Sequence, residues 1–222
     1  MKPDKLLTTG IPSRQQIESA TPPESRRKQG AFVVIECFQE IPCDPCYHSC
    51  RFGAIKPFGS LNDIPQVDWD KCTGCGVCVA ACPGLAIFVV DETLSDTQCL
   101  IAMPYEFLPL PQKGDPVYLL DRSGNKLGQG VAYRVVPGKK PQGTPVVWVS
   151  APKQLSMEVR NLLPMGEAHE LDQAAGAQER GQVAVDDKTQ PDHHVPSGKI
   201  PADATPTGEP LAEKGGMNCV SC

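Results

Sequence analysis

Cys72-Thr-Gly-Cys75-Gly-Val-Cys78-Val-Ala-Ala-Cys82-Pro83 is a C-x2-C-x2-C-x3-C-P run. Three closely spaced thiolates can hold three corners of one iron–sulfur cube, and a fourth just before proline reaches a second cube. The chain repeats this arrangement at an offset of 32 residues, where Cys43, Cys46 and Cys50 superpose on Cys75, Cys78 and Cys82. Ala54-Ile55 superposes on Ala86-Ile87, so each half reads C-x2-C-x3-C followed by a short apolar element. One position breaks the register. Cys72 has Glu40 as its counterpart, and the nearest upstream cysteine is Cys37. The first half therefore reads C-x5-C-x2-C-x3-C, as if three residues had been inserted in its first ligand loop.

Zinc is the ordinary alternative for clustered cysteines. Structural zinc sites use two separated pairs, C-x2-C and C-x2-C or histidine equivalents. Here three cysteines share each short loop region and a C-P closes the second, which points to iron–sulfur chemistry. Elements must then position these loops. Ala31-Phe-Val-Val-Ile-Glu36 has the β-branched and aromatic content of a strand and delivers Cys37. Leu85 to Val90 reads as a strand after Cys82. Within each half the last two cysteines are four apart and share a face on a helical turn. They would nevertheless serve different clusters, one near and one far. Gly74 and Gly76 let the second loop fold tightly and bring amide donors towards sulfur.

Beyond residue 100 the pattern changes. Pro116–Leu120, Val131–Val136 and Pro145–Ser150 are predicted strands, with turn chemistry in Asp121-Arg-Ser-Gly-Asn125. Together they predict a small antiparallel sheet or partial barrel. Leu155, Val159, Leu162 and Leu163 fall on one helical face and predict a terminal helix. All twelve aromatic residues lie between Phe32 and Trp148. Residues 1–30 and 164–222 lack large side chains, so a flexible N-terminal arm and a disordered tail are expected on either side of the packed structure.

The net charge of −5 argues against a nucleic-acid partner, which favours a basic face. The N-terminal residues contain no apolar core of signal-peptide length, and the longest strongly apolar run, Leu85 to Val90, is too short to span a bilayer. No membrane insertion is expected. Eleven cysteines without an export signal predict metal binding in a reducing cytoplasm rather than disulfides. Neither a phosphate-binding glycine motif nor a nucleophile elbow is present, so the chain is expected to bind no flavin or nicotinamide and to catalyse no substrate chemistry itself.

Over residues 31–92 the cysteine pattern resembles the bacterial two-cluster ferredoxins. The resemblance implies an α+β fold with a pseudo-twofold ferredoxin domain at 31–97. A β-rich accessory domain at 98–163 would follow. It also implies two [4Fe–4S] clusters with crossed ligation. Cys37, Cys43 and Cys46 would bind one cluster with Cys82 as the remote ligand. Cys72, Cys75 and Cys78 would bind the other, with Cys50 returning to it. Two positions depart from the family pattern. Cys37 sits three residues early, and Arg51 stands where proline is common. Arg51 either raises the potential of a nearby cluster by its charge or points into water.

The layout of a ferredoxin followed by a β-rich extension also resembles the small iron–sulfur subunits of FAD-dependent amino-acid and amine dehydrogenases, among them proline, sarcosine and opine dehydrogenase complexes. That implies a non-catalytic electron-transfer subunit in a hetero-oligomer with a flavin-containing dehydrogenase. A free diffusible ferredoxin-like carrier and an iron–sulfur sensor are the competing readings. Cys99 reads as a small buried hydrophobe. Cys219-Val-Ser-Cys222 reads as a redox pair, a metal clip or an incidental pair. His48, inside a ligand loop, either tunes the site or lies exposed. His193-His194 is too short a run to define a metal site.

Overall fold

A computed structural model of the chain describes residues 5–138 and 143–165. The expected tail at 164–222 lies almost wholly outside these residues, together with His193, His194, Cys219 and Cys222. Among the described residues seven strands make one sheet: β1 (Phe32–Ile35), β2 (Ile87–Asp91), β3 (Gln98–Pro104), β4 (Pro116–Leu120), β5 (Lys126–Val136), β6 (Val146–Pro152) and β7 (Asn161–Pro164). The spatial order is β1-β2-β3-β6-β5-β4-β7, and every adjacent pair is antiparallel. Five short α-helices accompany it: α1 (Lys5–Thr9), α2 (Arg14–Ser19), α3 (Glu24–Arg27), α4 (Pro45–Ser49) and α5 (Val77–Ala81).

β1 and the first four residues of β2 are apolar and buried because both faces of this part of the sheet are covered. Strand side chains alternate between faces. Phe32 and Val34 of β1, with Phe88 and Val90 of β2, enter one core, shared with Ile101, Val117, Leu119, Val149 and Leu162. Val33, Ile35, Ile87 and Val89 face the opposite way and pack with Cys46, Cys78 and Val79 from α4 and α5. The first core includes residues from β1 and from the far edge strand β7, so the sheet curls over on itself. The boundary expected at residue 97 falls between β2 and β3, and both the sheet and this core run across it.

Several expectations need correction. The leucine pattern at 155–163 does not form a helix. A single 3-10 turn (Lys153–Leu155) is followed by β7, whose residues pair with β4 from Val117↔Pro164 to Leu120↔Asn161. A short apolar period is shared by helices and buried strands. Here the open edge of β4 supplies the hydrogen bonds that decide between them. β5 starts five residues before the expected strand, directly after the Asp121 turn, whose carboxylate accepts from the backbone N–H of Ser123 and Asn125 at 2.7 and 2.8 Å.

Residues 14–30 are not a loose arm. Ser13 and Gln16 form a reciprocal capping box at the start of α2, and Arg26 of α3 is buried.

Candidate iron–sulfur centre

The 32-residue repeat is a structural repeat. α4 and α5 coincide under it end for end, and both stop at a cysteine, Cys50 or Cys82, in extended conformation. The backbone N–H of Ala54 donates to Cys50 Sγ at 3.3 Å, and that of Ala86 donates to Cys82 Sγ at 3.4 Å. The isolated bridge Ile55↔Val67 is the counterpart of Ile87↔Ile35 in the β1–β2 pair. Likewise Asp68 N–H to Ala54 O at 2.7 Å matches Glu36 N–H to Ala86 O at 2.8 Å.

This register changes the reading of Cys37. The chain takes the same number of residues from Ile35 to Cys43 as from Val67 to Cys75. The first loop therefore contains no insertion. Its leading cysteine stands three residues earlier on a loop of equal length. Trp69 occupies the position equivalent to Cys37, and its indole N–H donates to Val33 O at 3.0 Å.

The eight cysteines fall into two groups. Burial pushes the Cys37 and Cys43 thiols up, and both feel the charge of Cys82. Burial raises Cys46 to about 11, reinforced by Cys82, Cys43 and Cys37. Burial raises Cys78 further, to about 12, with added repulsion from Cys72, Cys75 and Cys50. Thus Cys37, Cys43, Cys46 and Cys82 are neighbours, and so are Cys50, Cys72, Cys75 and Cys78. Each group takes three members from one half of the repeat and one from the other. The second group lines a small apolar cavity. Cys37, Cys43 and Cys82 are among the residues lining a second, larger cavity.

Buried thiols packed this closely resist ionisation unless cationic metal stabilises the thiolates. Among the described residues no three histidine, cysteine or carboxylate side chains converge tightly enough to hold a single metal ion. Amide donors at Cys50 and Cys82 sulfur add the hydrogen bonds that thiolate ligands of clusters accept. The donor set and its spacing fit a [4Fe–4S] cube in each group.

Local backbone explains the second loop. Gly74 has φ +65°, and a Cβ there would lie 2.3 Å from Ala31 Cβ and 2.8 Å from Ala31 C. Only glycine lets the loop lie against the chain entering β1. Gly76, φ +79°, turns the loop into α5.

Two charged groups escaped the sequence reading. The Arg26 guanidinium is buried and donates to four backbone carbonyls: Trp69 at 2.8 Å, Gly30 at 3.1 Å, Ala31 at 3.0 Å and Cys72 at 2.7 Å. It ties α3 to the start of the second ligand loop. Glu36, next to Cys37, receives Arg122 at 2.7 and 2.8 Å and Arg160 at 2.6 Å. Burial by itself would raise the Glu36 carboxyl, but the Arg122 hydrogen bond and both positive charges hold it below its ordinary value. Arg122 comes from the β4–β5 turn and Arg160 from the segment before β7. The accessory strands therefore grip the end of β1 where Cys37 begins.

Of the remaining candidates, Cys99 is fully buried in the first core, with its thiol 3.5 Å from Ala151 O. His48 is exposed and pairs with Asp44 at 3.0 Å. Arg51 is exposed. No helix among the described residues is long and apolar enough to cross a membrane.

Comparison with known proteins agrees with this chemistry. Residues 65–88 match the 4Fe–4S binding domain family. The thiosulfate reductase electron transfer subunit of Salmonella typhi is 37% identical over 89 residues, covering 39% of this chain and 45% of that protein. A selenate reductase subunit of Mesobacillus selenatarsenatis is 36% identical over 83 residues, covering 36% and 26%. An uncharacterised ferredoxin of Methanocaldococcus jannaschii is 38% identical over 81 residues, covering 35% and 49%. The chain spans less than half the length of each of these relatives. No solved structure matches it.

Proposed function

We propose that the chain is a non-catalytic electron-transfer subunit that holds two [4Fe–4S] clusters. Cys37, Cys43, Cys46 and Cys82 would hold one, and Cys72, Cys75, Cys78 and Cys50 the other. The observation that carries this reading is the sorting of eight thiols into two quartets, each built from both halves of the repeat. When bound, each cluster supplies a site for one electron. The protein's part is to exclude water, through the packing of Cys46, Cys78 and Val79 under the sheet, and to orient sulfur, through the amides of Ala54 and Ala86.

The ferredoxin segment needs only about a third of the chain. The curled sheet that grips it is best explained as an attachment to further subunits, and a hetero-oligomer follows. We favour a flavin-containing dehydrogenase that oxidises an amino acid or amine as the electron source, from the layout of the chain. A second reading rests on the names of the relatives: electrons would run towards a reductase subunit.

Protein purified without oxygen should contain about eight iron and eight acid-labile sulfide, the content of two cubes. Cys37→Ala should lower iron to about four and remove one of two cluster signals from the low-temperature EPR spectrum of the reduced protein. Unchanged iron and EPR in that variant would show that Cys37 is no ligand. Purification of the native assembly from its source then separates the partners. Co-eluting flavin supports the dehydrogenase reading, and a lone monomer defeats the subunit reading.

A further inference from the structure

Cys75 is the one exposed cysteine of the eight. It opens onto a groove that is shared by the ferredoxin segment and the accessory strands. Val146 and Trp148 of β6 supply its apolar lining, and the exposed Arg51 and Arg134 line it as well. No acidic residue lines it. Among the described residues neither arginine makes an ion pair, although the chain as a whole is acidic. The sheet is adapted to this groove. A register shift between Ala132 and Arg134 sets Arg134 opposite Trp148, and the Trp148 ring lies 4.0 Å from where a Cβ of Gly76 would stand. A bulge of this kind re-aims a side chain out of the regular alternation. Val77 is 42% exposed, an apolar side chain left at the mouth beside Cys75.

We infer that this groove is the electron port of the molecule. It docks a redox protein that presents an acidic rim around an apolar centre, with the partner's cofactor brought up to Cys75. The inference rests on the proposed electron-transfer role and adds the chemistry of the partner. Basic rims steer acidic partners and raise their association rates, an effect that salt removes. The apolar lining gives a close, water-poor approach, as in the centre of other protein interfaces.

Two one-electron acceptors of opposite charge test it: plastocyanin, an acidic copper protein, and mitochondrial cytochrome c, a basic haem protein. Full-length protein reduced with dithionite, and freed of excess reductant, is mixed with each by stopped flow. One electron leaves a reduced cluster and converts Cu(II) to Cu(I) or Fe(III) to Fe(II), with no proton transfer required. Plastocyanin should react fast at about 20 mM salt and slow by about tenfold or more at 0.5 M. R51E/R134E should lower its low-salt rate to the high-salt value and accelerate cytochrome c. The charge-matched R14E/K113E should leave plastocyanin's rate unchanged.

Equal effects of the two double variants would overturn the inference, since only net charge would then matter. So would a plastocyanin rate that does not respond to salt. Two other occupants would also defeat it. If D186N/D187N, within the acid-rich residues 166–222, speeds plastocyanin as much as R51E/R134E slows it, the chain's own tail fills the groove. If R51E/R134E dissolves a dimer seen by light scattering, a second copy fills it. Iron content and EPR of each variant report separately on the clusters, so loss of the port and loss of the two-cluster reading are distinguishable.

Discussion

At the scale of single residues, the cysteines divide by what surrounds them. Cys75 is exposed, whereas Cys46 and Cys78 sit in the core beneath the sheet. Cys99 is also buried but has no other thiol beside it among the described residues, and burial with the nearby Glu92 charge pushes it up to about 11. In the folded protein Cys99 should therefore resist iodoacetamide at neutral pH and react only on unfolding, as peptide mapping would show. The spacing of the other eight made them visible in the sequence. Arg26 was not visible, because its four acceptors are carbonyls from two separate stretches of chain, residues 30–31 and 69–72. Each buried carbonyl left without a donor would cost about 1–3 kcal/mol, which explains why a charged side chain occupies an interior position there.

At the scale of elements, the two ligand loops reach the same end by different means. The second needs glycine at position 74, where the loop lies against Ala31. Gly74→Ala combines a left-handed backbone with a contact too short for any Cβ, and strain of this kind costs about 1–3 kcal/mol. Its expected result is loss of the cluster proposed for Cys72, Cys75, Cys78 and Cys50, with iron falling to about half and the other EPR signal retained. The first loop moves its leading cysteine to position 37, immediately after Glu36, instead of lengthening. Sequence alignment by spacing reads that shift as an insertion. Only the pairing of Ile55 with Val67, equivalent to that of Ile87 with Ile35, shows that the two loops are equal in length. The same limit applies to residues 155–163, where the leucine period suits a helix and the free edge of β4 imposes a strand.

At the scale of the whole molecule, the strands after residue 97 and the strands β1 and β2 beside the cysteine loops are parts of one sheet, locked at its ends by Glu36, Arg122 and Arg160. Arg160 also stacks on Phe88 at 4.9 Å from the ring centre. Removing one member of a buried ion group leaves charge poorly compensated and typically costs about 3–5 kcal/mol. Arg160→Met keeps Arg122 on Glu36, so the lower end of that range is expected. The urea midpoint should fall. The EPR signal lost in Cys37→Ala should also broaden or shift in this variant, because Glu36 precedes Cys37. An unaltered signal with lowered stability would show that the clamp supports the fold without positioning the ligand.

The sequence by itself determined the chemistry. Thiol spacing and the 32-residue repeat are local, and a short loop brings its cysteines together whatever the rest of the chain does. β1 and β2 were legible for a similar reason, as short β-branched runs flanking the loops. Tertiary structure decided which thiols are neighbours across the repeat, that the strands after residue 97 continue the sheet of β1 and β2, and that Arg51 and Arg134 line the same groove as Cys75. Those outcomes depend on strand order and curl. They bring together residues far apart in the chain, and no local pattern encodes such contacts.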